Sequence, residues 1–285
     1  MAVTNFVPDV WSARILTALS RSSVANAITN RDYEGDIARQ GDSVKITNFV
    51  DPTIGTYTAH SDITIEDVDD ATQALLINQA KYFAFEVDDI EKAQSVNGGA
   101  VLATATERAA YGLKNVLDAF VLTTLAAGAS ASGPDHQIAE ATISTAAGAY
   151  DALVDWSVLL DEADIPEENR FAVITPSLYG KILKDSRFIA SGDAASASTR
   201  QNGKVGEAAG FAVYKSNNLP DGAGAGAGKA MIAGTTMAAT LAEQIVSVET
   251  DRMEKRFADL VKGLHVYGAK VTRPTGLVVA DVIVS

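Results

Sequence analysis

From Gln73 to Val87 the chain has no glycine or proline, and its apolar side chains keep a two-residue phase. Leu75, Ile77, Phe83, Phe85 and Val87 hold that phase, with Gln79 and Lys81 filling it in the middle. Alternation of this kind predicts a strand with one buried face. About 15 residues at roughly 3.3 Å each reach roughly 50 Å, well beyond the usual five or six residues. Part of such a strand outruns the core and is expected to project. Upstream, Val44 and Ile46 alternate with Lys45 and Thr47, and Ile63 and Ile65 with Asp62, Thr64 and Glu66. Residues 42–87 therefore predict a two-stranded ribbon with Asp51-Pro52 and Gly55 in its polar connection. A lone hairpin is marginal in water. The expectation is that this ribbon cannot satisfy itself within its own chain and lies on a neighbouring subunit.

The period then changes. From about 100 to 127, Ala105, Ala109, Leu113, Val116, Leu117, Phe120 and Leu125 form one stripe, with Glu107, Arg108, Lys114 and Asp118 off it. This predicts a long helix. Gly98-Gly99 marks a kink or break from a segment beginning near Asp88, and Gly128 to Pro134 reads as a small-residue linker. A second amphipathic helix is predicted over 145–163, with Ala149, Leu153, Trp156 and Leu160 on one face and Pro166 as its stop. Phe171 to Ile174 reads as a buried strand, Pro176 to Leu183 as a short helix and 190–206 as a mobile loop. Strands recur at 211–215, 231–233, about 238–250, about 256–273 and 277–284. Near the start, Asp9 caps a predicted helix within 5–20 carrying Trp11, Ile15 and Leu19, docked on its own domain or packed under a neighbour. The pattern is α+β, without an internal repeat.

Composition narrows the functions. The chain has 285 residues, 47% hydrophobic and 21% charged, which is ordinary globular usage. Its 23 basic and 36 acidic residues leave a net charge of −13, which opposes nonspecific binding to phosphate. Much of the excess is local. Between 60 and 92, Asp62, Glu66, Asp67, Asp69, Asp70, Glu86, Asp88, Asp89 and Glu91 face only Lys81 and Lys92, a balance of −7. The absence of cysteine removes disulfides, thiolate zinc sites, iron–sulfur clusters and cysteine nucleophiles. No apolar run approaches a membrane span, and Met1 to Trp11 lacks the profile of a secretory signal. The expectation is a soluble cytoplasmic protein that uses no metal or cofactor.

Candidate chemistry is sparse. The run Gly222-Ala-Gly-Ala-Gly-Ala-Gly228-Lys229 has Ala223 where a phosphate loop needs its first glycine and Ala230 where it needs Ser or Thr. It reads as a flexible surface loop. His60, His136 and His265 have no partner at ligand spacing. His265 reads as a satisfied structural histidine in a strand, the other two as exposed. No Gly-x-Ser-x-Gly elbow is present. The acids at 62–70 lack the glycine turn and terminal glutamate of a calcium loop, so they read as a solvated or partner-facing patch. No catalytic residue is assigned.

A resemblance carries the reading further. Asn30-Arg-Asp-Tyr-Glu-Gly35 followed by Gly41-Asp-Ser-Val-Lys-Ile46 resembles the start of the extended loop of tailed-bacteriophage major capsid proteins. Gln79-Ala-Lys-Tyr-Phe-Ala-Phe-Glu-Val-Asp-Asp89 resembles the end of that loop where it enters the spine helix. Tyr150-Asp-Ala-Leu-Val154, Leu160-Asp-Glu-Ala163, Gly206-Glu-Ala-Ala-Gly-Phe211 and Ser216-Asn-Asn218 continue the similarity. The stretch Glu254-Lys-Arg-Phe-Ala-Asp-Leu-Val-Lys-Gly-Leu-His-Val-Tyr-Gly-Ala-Lys-Val-Thr-Arg-Pro274 is the most telling.

The resemblance implies the Hong Kong 97-type (HK-97-like) capsid fold. Its parts here would be an N-terminal arm (1–30), an extended β-hairpin loop (31–87), a peripheral domain with a long spine helix (88–135 and 240–272) and an axial α/β domain (136–239 and 273–285). It implies a structural, non-enzymatic major capsid protein. Its partners would be identical subunits in pentamers and hexamers of an icosahedral shell around double-stranded DNA, bound without sequence specificity. With no long segment before the arm, it implies a separate scaffolding protein, besides a portal, and assembly in the host bacterial cytoplasm. Trp11, Arg31, Lys45, Asp67, Asp69, Asp70, Lys255 and Arg256 are the candidate assembly contacts, with Arg39 and Arg252 as further basic partners for the acidic patch. The alternatives are an encapsulin-like nanocompartment shell and a carboxylate-based enzyme.

Overall fold

The computed structural model describes residues 24–32, 43–49, 54, 56–57, 62, 70–88, 100–130, 136–185, 207–224, 226, 228–253 and 256–285. The predicted helix within 5–20, the break at 98–99 and the loop at 190–206 lie outside them. In chain order the elements are α1 (Ala25–Ile28), β1 (Ser43–Phe49), β2 (Asp70–Leu76), β3 (Gln79–Asp88), α2 (Ala100–Ser130), β4 (Gln137–Ile143), α3 (Ala146–Glu162), β5 (Arg170–Ile174) and α4 (Pro176–Ile182). They continue with β6 (Glu207–Ala208), β7 (Phe211–Lys215), β8 (Lys229–Thr235), β9 (Ala239–Arg252), β10 (Ala258–Val271) and β11 (Leu277–Val284). Three sheets form: β1-β2, β3-β10-β9 and β4-β11-β8-β5-β7-β6.

The predicted long strand is in fact two strands. It breaks at Ile77-Asn78, after which β3 pairs antiparallel with β10 of its own chain, from Asp88 opposite Ala258 to Gln79 opposite Tyr267. The unbroken two-residue period concealed this because its apolar residues serve two cores. Leu75 and Ile77 bury in a small cluster with Ile46, Ala242 and Val266, whereas Val87 belongs to the main core, with Phe83 and Phe85 packed against it. The break coincides with a close crossing: a Cβ on Gly268 would lie 2.3 Å from the Leu76 carbonyl oxygen and 3.0 Å from the Ile77 Cα.

In the six-stranded sheet, β4, β11, β5 and β7 run parallel and β8 runs against its neighbours. Both crossovers β4–α3–β5 and β5–α4–β7 step the same way along the sheet, so their common right hand puts α3 and α4 on one face. These helices pack on each other, while α2 packs on β8 and β11 and also on β10 of the three-stranded sheet. All five residues of β5 are buried, as expected of a strand covered on both faces. Helix α3 begins where Thr145 accepts the Gly148 N–H at 3.1 Å, and buries Ala149, Leu153, Trp156 and Leu160 as its spacing predicts. Its return to β5 is held by buried Arg170, which donates to the Pro166 carbonyl at 3.0 Å and pairs with Asp161 at 2.7 Å.

Three further expectations change. On α2, Val116 is 44% exposed, whereas Asp118, read as lying off the buried stripe, is buried. Its carboxylate accepts the Ala25 N–H at 3.0 Å and the Val24 N–H at 3.4 Å, capping α1 from outside that helix. The predicted linker begins late because α2 runs on to Ser130, and β4, an unanticipated strand, follows it as an exposed edge. The glycine–alanine run is not a loose loop. Gly224 N–H donates to Asp281 Oδ2 at 2.6 Å, Gly226 N–H to Glu140 Oε2 at 2.8 Å, and Gly222 N–H to the Gly228 carbonyl at 2.9 Å. A Cβ on Gly222 would lie 1.8 Å from Asp281 Oδ1, and one on Gly224 2.1 Å from Glu140 Oε2. Glycine at every second position thus makes room for two of the chain's own carboxylates, which take the N–H groups a phosphate would need.

Candidate functional site: an assembly interface

The hairpin pairs in antiparallel register from Ser43 opposite Leu76 to Phe49 opposite Asp70. Lys45 lies opposite Ala74, and Asp70 opens β2. In the connection between the strands, Ile54 is 97% exposed and Tyr57 is exposed as well. The root behaves differently. Tyr267 meets Phe120 of α2 edge-on at 5.4 Å, so neighbouring Val266 points to the other face of the sheet, where it buries with Leu75 and Ile77. Gln73 Nε2 donates to the Thr272 carbonyl at 3.3 Å and Lys270 Nζ to the Ala74 carbonyl at 3.1 Å. The expectation that residues 42–87 find nothing to bind at home is therefore corrected: the root is satisfied by its own sheet, through apolar burial and strand pairing.

On the sheet's inner face lies a polar cluster. Glu243 Oε1 accepts from Arg31 Nη2 at 2.8 Å and from Asn26 Nδ2 at 3.1 Å, and Glu243 Oε2 lies 3.3 Å from His265 Nε2. These contacts join the 24–32 segment to β9 and β10, and the Asn30–Thr240 bridge extends the junction. The sequence carried a signal for Glu243, since it shares the phase of Leu241 and Ile245 and so falls on a buried face. Beside it, Tyr267 is buried, and its hydroxyl has no hydrogen-bond partner among the described residues. Burial pushes its phenol above the ordinary tyrosine value. The folded chain therefore keeps a proton that the unfolded chain releases above about pH 10, so this contribution to stability is complete below that pH and is lost as pH rises past it. Thermal melts between pH 9 and 11 are expected to show this decline, and Tyr267→Phe to flatten it.

Of the candidate contacts, Trp11, Asp67, Asp69, Lys255 and the further basic candidate Arg39 lie outside the described residues. Arg31 is held by Glu243, and Arg256 pairs with Glu86 of β3 at 2.8 Å. Arg252 lies 3.9 Å from Asp259, and Lys262 bonds Glu249 at 2.8 Å, which raises the lysine's pKa. The structure thus gives several basic candidates an acid of their own chain. At the turn between β9 and β10, Phe257 is 79% exposed. His265 is buried in β10, but against the expectation of a satisfied histidine neither ring nitrogen has a hydrogen-bond partner among the described residues. His136 is half-buried instead of exposed, and His60 lies outside the described residues. Among the described residues no three metal-ligating side chains converge, and no helix is long and apolar enough to cross a membrane.

A body with two sheets, a hairpin anchored at its root, and exposed Ile54 and Tyr57 in the hairpin's connection suits a structural role better than a catalytic one. Comparison with known proteins agrees. The family described as phage capsid protein matches residues 72–280. A structure from Mycobacterium phage Che8 shares 28% sequence identity over 91% of each chain, with a TM-score of 0.70. The capsid structure of cyanophage P-SCSP1u shares 17% identity over 91% of this chain and 87% of that one, with a TM-score of 0.67. The mature capsid of bacteriophage PhiM1 shares 14% identity over 92% and 87%, with a TM-score of 0.66. No curated protein sequence matches the chain. The chain belongs to the phage capsid protein family. It is a structural protein of the virion, and the resemblance to tailed-phage capsids read from its sequence holds.

Proposed function

We propose that this chain is the major capsid subunit of a tailed bacteriophage, arranged as pentamers and hexamers in an icosahedral shell around double-stranded DNA. In this reading α2 is the spine helix of a peripheral domain (88–135 and 240–272), the six-stranded sheet builds an axial domain (136–239 and 273–285), and 31–87 is the extended loop. The 1–30 arm, with Trp11, and the acids Asp67, Asp69 and Asp70 supply contacts to neighbours, as do Lys45, Lys255 and the rim of Arg31 and Arg256. A separate scaffolding protein and a portal complete the assembly in the host cytoplasm, and DNA is enclosed without sequence-specific contacts.

The observation that carries the reading is the hairpin, rooted on its own sheet and baring Ile54 and Tyr57 beyond it. A root that fixes direction and a tip that stays uncovered suit a finger laid over an adjacent subunit. Many such modest contacts add up through closed symmetry. Negative-stain microscopy of the protein expressed with and without its scaffolding partner tests this. Closed shells are expected, and a chain that stays monomeric at high concentration under both conditions would overturn it.

A further inference from the structure

We propose that the outer face of α3 docks onto the α4–β7 corner of an adjacent copy of this chain. The inference deepens the shell reading and rests on it.

The core-facing stripe of α3 leaves Asp151, Val154, Asp155, Val158 and Glu162 on the opposite side, at spacings of three and four that align them along the helix. Val154 is 36% and Val158 46% exposed, with the exposed Asp155 and Glu162 beside them, neither of which has a cationic partner among the described residues. No Lys or Arg occurs from Ala146 to Asn169, and Arg170, which follows, is buried and engaged with Asp161 and the turn. Whatever covers the two valines must therefore bring positive charge on apolar stems. A second copy of the same helix face is excluded by like-charge repulsion.

The chain carries a surface of the required kind elsewhere. Lys184, just past α4, and Lys215, at the end of β7, are exposed, and neither has a carboxylate partner among the described residues. Lys215 Nζ stands 5.2 Å over the ring of Tyr179, which is itself buried, so the ring fixes the lysine's place at this corner. Lysine stems cover apolar surface while their heads remain with anions. Although α3 and α4 pack on each other, the two patches are distinct surfaces, because the outer face of α3 points away from its core-facing stripe. Helix α3 leaves from edge strand β4, whereas Lys215 lies on β7 toward the opposite edge. A contact between different patches of identical chains is head-to-tail, and such contacts close into rings when the rotation allows. Charge would fix the orientation and the valines would exclude water.

A charge exchange tests this. One variant carries Asp155→Lys and Glu162→Lys, a second Lys184→Glu and Lys215→Glu, and a third all four. Particle yield is read by sedimentation, and subunit folding by circular dichroism. Each two-site variant is expected to lose at least about tenfold in yield with its fold intact, because like charges then face each other. The four-site variant is expected to recover. Assembly of either two-site variant at the wild-type yield, or a folded four-site variant that does not recover, would overturn the inference. So would loss confined to the α3 variant, which would point to a different basic partner. Wild-type protein in the same experiment keeps the tests apart: its failure to form shells counts against the shell reading, whereas its success beside a failed exchange counts only against this contact.

Discussion

Gly268→Ala is expected to leave a folded subunit that no longer builds shells. The glycine lies on β10 where the hairpin root crosses it, and a methyl group there would sit 2.3 Å from the carbonyl oxygen of Leu76. That atom belongs to the backbone, so no rotamer change relieves the clash. The root must lift or β10 must shift. Either movement disturbs the burial of Leu75, Ile77 and Val266 and re-aims the finger. Overpacking of this sort costs about 1–3 kcal/mol, which a body with a separate larger core can absorb. Assembly is less tolerant because every subunit carries the same misdirected hairpin. Near-ultraviolet circular dichroism close to wild type, with particles absent by negative stain and sedimentation, is the expected result. Normal particle yield would show that the root does not set the hairpin's direction.

The second large effect concerns stability. Trp156→Ala is expected to destabilise the subunit by about 3–5 kcal/mol, since it empties one of the largest buried positions. Native proteins are stable by about 5–15 kcal/mol, so much of the margin is removed. Two residues along the same helix, Val158→Ser is expected to change stability by less than about 0.5 kcal/mol. Denaturant titration of both variants measures the contrast. Similar midpoints for the two would mean that α3 is not seated on Trp156.

The ease with which the sequence could be read varied with how each element makes its contacts. Helix α3, β5, α4 and β11 were legible because each buries one unmixed face or is buried all round. The junction between β2 and β3 was not, because alternation reports which side of a strand is covered and says nothing about what covers it. Strand β4 was hidden by its place at the sheet edge, where Ala139, Glu140, Ala141 and Thr142 are exposed and no alternation survives. The tightly held glycine loop was missed for a related reason. Its anchors, Glu140 and Asp281, lie about 80 residues upstream and 50 downstream of it, and local reading does not join such distant partners. As candidate contacts Arg31 and Arg256 rest on charge alone, and charge does not reveal that Glu243 and Glu86 stand nearby in the same chain.

Helix α2 packs against β10 of one sheet and β8 and β11 of the other. At 31 residues it is about 46 Å long, and one rod therefore serves as a wall for both halves of the subunit. Severing the chain between those halves would strip one flank of the rod and leave Leu117, Val121 and Leu125 partly wet. The two regions are thus neighbourhoods of a single folding unit, and neither is a fragment that stands by itself.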